Sequence, residues 1–92
     1  MTNKEVAEAI RDVVVATVTD AVFHITDYDD VDKVHIKRED PNWHWCGLII
    51  NGDVDVDVTA GATDPSGVDW TPANNYTAVN DAATQIISLL QA

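Results

Sequence analysis

Apolar and polar residues alternate along this chain with two different periods, and the change of period marks its elements. Near the start, Val6, Ile10, Val13 and Thr17 recur at helical spacing. Thr2 stands three residues before Glu5, the spacing at which each side chain satisfies an orphan amide at a helix start. A helix over about 3–18 is predicted, although Val13, Val14 and Val15 are β-branched and weaken it beyond Asp12. The period then shortens to two. Ala21–Thr26 sets Phe23 and Ile25 against Val22, His24 and Thr26, and Lys33–Arg38 sets Val34 and Ile36 against Lys33, His35 and Lys37. Trp43–Ile50 and the strictly alternating Asp53–Thr59 complete four predicted strands. Turn clusters at Asp27–Asp30 and at Glu39-Asp40-Pro41-Asn42 separate the first three.

Asn51-Gly52 favours the two-residue turn of a tight hairpin. With those two residues as the loop, Ile49 faces Val54, Gly47 faces Val56 and Trp45 faces Val58. Trp43, Trp45, Gly47, Ile49 and the three valines then form the core side. His44, Cys46, Leu48 and Ile50 share the open side with Asp53, Asp55 and Asp57. Gly61–Gly67 reads as a loop. Thr71-Pro72 reads as the start of a last helix carrying Tyr76, Val79, Ala83, Ile86 and Leu90 on one stripe, with Trp70 stapling its beginning to the sheet. The expected fold is a single α+β domain over 1–92, ordered α-β-β-β-β-α: a four-stranded antiparallel sheet with two helices packed on one face.

Composition narrows the functional classes. The chain has 92 residues, enough for one core, and 46% are hydrophobic, which argues against disorder. Apolar runs fall short of the roughly 18 residues that span a bilayer, and no signal peptide is expected at the acidic N-terminal stretch. Cys46 is the single cysteine, so no internal disulfide forms and a cytoplasmic location is expected. Formal charge is -11, and no Lys or Arg follows Arg38. Such a surface repels phosphate and anionic membranes, and favours a basic protein partner.

Asp53, Asp55 and Asp57 are the leading candidate site. Carboxylates two apart on a strand point the same way about 6.7 Å apart, a regular negative line comparable to a phosphate backbone. Charge on an edge strand also has an ordinary use, since it discourages edge pairing. Asp27, Asp29, Asp30 and Asp32 form a second acidic cluster, whose alternate carboxylates also suit calcium, although neither cluster fits an EF-hand loop. Centring the first hairpin on Asp29-Asp30 sets His24 across from His35, and neighbouring registers bring His44 or Cys46 beside it, a possible zinc set without a recognised spacing. No metal or cofactor is assigned. Cys46 and His44 lack an oriented base and an oxyanion site, phosphate loops and nucleophile elbows are absent, and no enzymatic activity is expected.

In charge and size the chain resembles the DNA-mimicking anti-restriction and anti-CRISPR proteins of phages. The resemblance is to a class, without a motif matched residue by residue. It implies a cytoplasmic inhibitor whose aspartates occlude a basic, nucleic-acid-binding surface of a partner. The alternative is a phage structural or assembly protein, or a homo-oligomeric subunit, joined through exposed Leu48 and Ile50. A metal-binding module is a second alternative.

Overall fold

The computed structural model describes residues 1–39, 43–59 and 68–92. Its elements run α1 (Asn3–Thr17), β1 (Val22–His24), β2 (Lys33–Arg38), β3 (His44–Gly52), β4 (Asp55–Thr59), β5 (Pro72–Tyr76) and α2 (Val79–Leu90). The expected turn at 39–42 and loop at 61–67 lie largely or wholly outside the described residues. Consecutive strands pair antiparallel in the order β1-β2-β3-β4-β5, so the sheet is a meander of five strands rather than four. No described helix is long and apolar enough to cross a membrane.

The first helix begins as its sequence dictates. Glu5 N–H donates to Thr2 Oγ1 at 3.1 Å and Thr2 N–H donates to Glu5 Oε1 at 2.9 Å, closing the capping box. The Thr2 backbone bond, with the Thr2 hydroxyl behind it, holds the Glu5 carboxyl below the usual carboxylate range. Val6, Ala7, Ile10 and Val14 form the buried stripe. In α2 the stripe is Ala82, Ala83, Ile86 and Leu90. The helices pack on each other, and both rest on β3. Beneath them the sheet contributes Val34, Ile36, Cys46, Leu48, Ile50, Val56 and Val58. Arg38, at the end of β2, bonds Asp20 through Nε at 3.1 Å and donates from Nη1 to the Leu90 carbonyl at 3.2 Å, satisfying an orphan acceptor at the α2 C-terminus.

Two expectations are corrected here. Residues 72–76 are strand β5, not the first turns of a helix. Proline is tolerated as the first residue of an edge strand, and Asn74 and Asn75 are poor helix formers. Helix α2 therefore starts at Val79, with Ala78 as a cap that makes no side-chain bond. Tyr76, expected on its stripe, sits half-buried on β5.

The larger correction concerns β3. Gly47 pairs with Thr59, Leu48 with Val58, Ile49 with Asp57 and Ile50 with Val56. Asn51 is bulged, Gly52 pairs with Asp55, and Asp53-Val54 form the turn. Gly52 (φ 125°) and Asp53 (φ 47°) take the positive dihedrals this turn requires, and aspartate is among the residues that tolerate them. The pairing is displaced by three residues from the Asn-Gly register. An odd displacement turns β3 over relative to β4. Cys46, Leu48 and Ile50 enter the core, while Trp43, Trp45 and Ile49 move to the face the helices leave uncovered. Both registers keep Val56 and Val58 inside. The observed one fills the space under two helices with Cys, Leu and Ile instead of two indoles.

Candidate interaction surface

The meander sets the β1–β2 connection and the β3–β4 turn at the same end of the sheet. Lys4 N–H donates to the Asp29 carbonyl at 3.1 Å, and Ile50 N–H donates to the Asp32 carbonyl at 2.8 Å. The connection is thereby tied to the start of α1 and to the end of β3. Asp27, Asp29, Asp30 and Asp32 are all exposed there, and Asp53 joins them from the turn. The Asp53 side chain is 86% exposed and lies 3.9 Å from the Met1 amino group. Five of the seven aspartates singled out from the sequence thus gather at one pole.

The file of three carboxylates is shorter than expected. Asp53 has left the strand for the turn, so only Asp55 and Asp57 stand in line on the uncovered face. Asn75, paired with Asp57 from β5, reaches both: its Nδ2 donates to Asp55 Oδ1 at 2.8 Å and to Asp57 Oδ1 at 2.9 Å. Asn51 Nδ2 donates to Asp57 Oδ2 at 3.0 Å. Amides orient these carboxylates without cancelling their charge, and no ion pair joins either to a Lys or Arg among the described residues.

The β2–β3 side of the same face is cationic and aromatic. Trp43 stacks on Trp45 with centroids 5.5 Å apart and planes 8° apart, and Lys37 Nζ lies 5.6 and 5.8 Å from the two rings. Residues 68–71 cross the face as a strap. Trp70 stacks on His35 at 5.2 Å, with Lys33 Nζ 5.5 Å from its ring, instead of stapling the last helix. A bend holds this strap, as Thr71 N–H donates to Asp69 Oδ1 at 3.0 Å; that bond keeps the Asp69 carboxyl below its usual range. The signal for the strap was Gly47, since a glycine inside a strand often marks a close backbone approach.

The histidines divide. His24 does pair with His35 on the uncovered side. His44 pairs with Arg38 and places Nε2 2.6 Å from the Ala92 main-chain oxygen, while Cys46 is buried under the helices. The four side chains considered for zinc are thus not on one face, and no group of three His, Cys, Asp or Glu suited to a metal occurs among the described residues.

Burial pushes the Cys46 thiol up to about 12. At neutral pH it is therefore a protonated core side chain. We expect it to resist a thiol reagent in the native protein and to react fully in denaturant. Labelling at comparable rates in both states would contradict its buried position. Depressions on the described surface include one lined by Asp20, Val22, His24, Lys37 and Glu39 and another lined by Tyr76, Asp81, Thr84 and Gln85; Cys46 lines neither. Comparison with protein-family models, with curated proteins and with solved structures found no match.

Proposed function

We propose that this chain is a small, non-enzymatic, acidic interaction protein that occludes the basic, nucleic-acid-binding surface of a partner protein, as DNA-mimicking anti-defence proteins do. The observation that carries the reading is the acidic pole. Asp27, Asp29, Asp30, Asp32 and Asp53 converge there from two connections, and Asp55 and Asp57 continue the charge onto the sheet. Asp55 and Asp57 hold a fixed spacing on a paired strand, and the connection that carries Asp29 and Asp32 is tied through their carbonyls to α1 and β3, which a solvated acidic tail is not. A basic groove that tracks phosphates would be steered to such a pole and then held in register by it. Leu48 and Ile50, the anchors of the rival assembly reading, are buried and offer no interface.

The test starts from chain immobilised on beads and exposed to a DNA-binding protein fraction. Captured protein is eluted in rising salt, identified, and assayed for duplex binding with and without the chain. The expected result is a basic protein released by salt, whose DNA binding the chain blocks. Changing Asp27, Asp29, Asp30 and Asp32 together to Asn is expected to weaken the block by about tenfold, at a few tenths of a kcal/mol or more for each exposed pair lost. A block unaffected by that change, or by Asp53, Asp55 and Asp57 changed together to Asn, would overturn the assignment.

A further inference from the structure

The sheet ends on two unlike edges. β1 has three residues and lies beside β2, which carries Lys33 and Lys37. β5, the other edge, lies beside β4, which carries Asp55 and Asp57. Pro72–Tyr76 contains no charged residue, in a chain of net charge -11. Edge strands are commonly guarded by charge, by proline or by a bulge. Pro72 and the bulged Ala73 guard only the first part of β5, whereas Asn74, Asn75 and Tyr76 keep regular register with β4. The outer side of these three residues pairs with nothing among the described residues.

A helix flanks that edge. Thr77-Ala78 alone separate β5 from α2, and the helix packs back on the strand. Tyr76 Oη donates to Gln85 Oε1 at 3.0 Å and ties the two together, where Tyr76, Asp81, Thr84 and Gln85 line a depression. Asn74, Asn75, Asp81 and Thr84 are all exposed.

We propose that the outer edge of β5 takes up an extended basic segment of a partner protein as a sixth strand, seated against α2. Backbone bonds to β5 supply the attachment, and alternate side chains of the segment go to opposite faces. Those on one face meet Tyr76 and the α2 flank with Asp81. Those on the other stand about 9.6 Å from β4, two strand spacings, which lets a lysine or arginine reach toward Asp55 and Asp57. Asn75 lies between and holds both carboxylates through Nδ2, and no Lys or Arg among the described residues pairs with either.

Charge decides the occupant. No Lys or Arg follows Arg38, so β4, β5 and α2 offer a basic segment no cation to repel it. A second copy would bring its own Asp55, Asp57 and Asp81 to the same edge. The inference goes beyond the reading above, because it needs backbone pairing at β5 and none of the aspartates at the pole; either fails without the other.

The experiment is an NMR titration of the full chain with an end-blocked peptide of alternating lysine and valine, roughly six residues long, a usual strand length. Peptide is raised to about 1 mM, which registers dissociation constants up to that order. Amide resonances of Asn74–Tyr76 and Thr84 are expected to shift, and the strand amides to exchange more slowly with solvent. The same peptide N-methylated along its backbone keeps its charge but loses its donors, and is expected to bind at least about tenfold more weakly, as is a glutamate–valine peptide. Thr84→Lys, which sets a cation on the exposed α2 flank, is expected to weaken binding about threefold. Circular dichroism confirms folding, and Asn74→Lys replaces Thr84→Lys if the latter does not fold. Four outcomes would overturn the proposal: unmoved β5 resonances, shifts confined to Asp27–Asp32, equal binding of the N-methylated peptide, or β5 shifts that follow the chain's own concentration and ignore the peptide.

Discussion

Leu48→Asp unfolds the domain, whereas Ile49→Asp, one residue along the same strand, leaves it folded. Leu48 is fully buried at the centre of the sheet, paired with Val34 on one side and Val58 on the other, under two helices. Losing its burial forfeits roughly 2 to 3 kcal/mol of transfer free energy. Seating an unpaired carboxylate there adds several kcal/mol more, whether as desolvated charge or as a protonated acid without partners. At about 0.05 to 0.15 kcal/mol per residue, total stability is of the same order as that combined loss. Ile49 faces the other way, half-buried between Lys33 and Asp57. An aspartate there stays near water and beside a lysine. Leu48→Ala provides a graded control, expected to cost about 2 to 5 kcal/mol and to lower the melting temperature by at least roughly 8 °C. Circular dichroism during urea titration reads all three variants. A folded Leu48→Asp protein with an unfolded Ile49→Asp protein would restore the Asn-Gly register and cancel the observed one.

That register shows where the sequence is informative and where it is not. Helix α1 was legible because three signals agree: the capping box, the period and the length. The pairing of His24 with His35 was legible because the aspartate cluster between β1 and β2 fixes the centre of their turn. The failure at β3 has a physical cause. Residues 43–50 are apolar on both faces, so alternation does not say which side is inward. A local turn preference then decided the matter, and it is worth less than tertiary packing. Bulging Asn51 and moving the turn to Asp53-Val54 costs the favoured Asn-Gly loop, but it lets three compact side chains replace two indoles beneath the helices.

The acidic site was legible as residues, not as a shape. Counting along β4 found the alternation of Asp and Val but placed Asp53 on the strand instead of in the turn. No local signal told that the β1–β2 connection and the β3–β4 turn would share an end; that follows from the consecutive antiparallel pairing of β1 to β4. Strand β5 was hidden because Thr71-Pro72 imitates a helix start. Its function became visible only with Asn75 in place, holding two carboxylates through one amide nitrogen.

Gly47→Ala tests how the strap and the uncovered face depend on each other. A Cβ at this position would lie 2.5 Å from Thr59 Oγ1, 2.8 Å from Trp70 Cζ3 and 2.8 Å from Val68 Cγ1. Those separations are too short for any side chain, so at least one neighbour has to move. Thr59 is fully buried on β4 and Val68 is nearly so, whereas Trp70 is half-buried on a strap outside the ladder. Trp70 therefore gives way and leaves His35. Overpacking of this kind costs about 1 to 3 kcal/mol, and Gly47→Val should cost more. His35 ring protons, shielded by the indole in the parent, should move downfield in the variant's NMR spectrum. In a Trp70→Ala background the same substitution should cost less, because one of the three obstructing groups is gone, and that non-additivity measures the contact directly. Parent-like stability with unmoved His35 resonances would mean that Trp70 does not rest on Gly47, and the strap would then lie elsewhere.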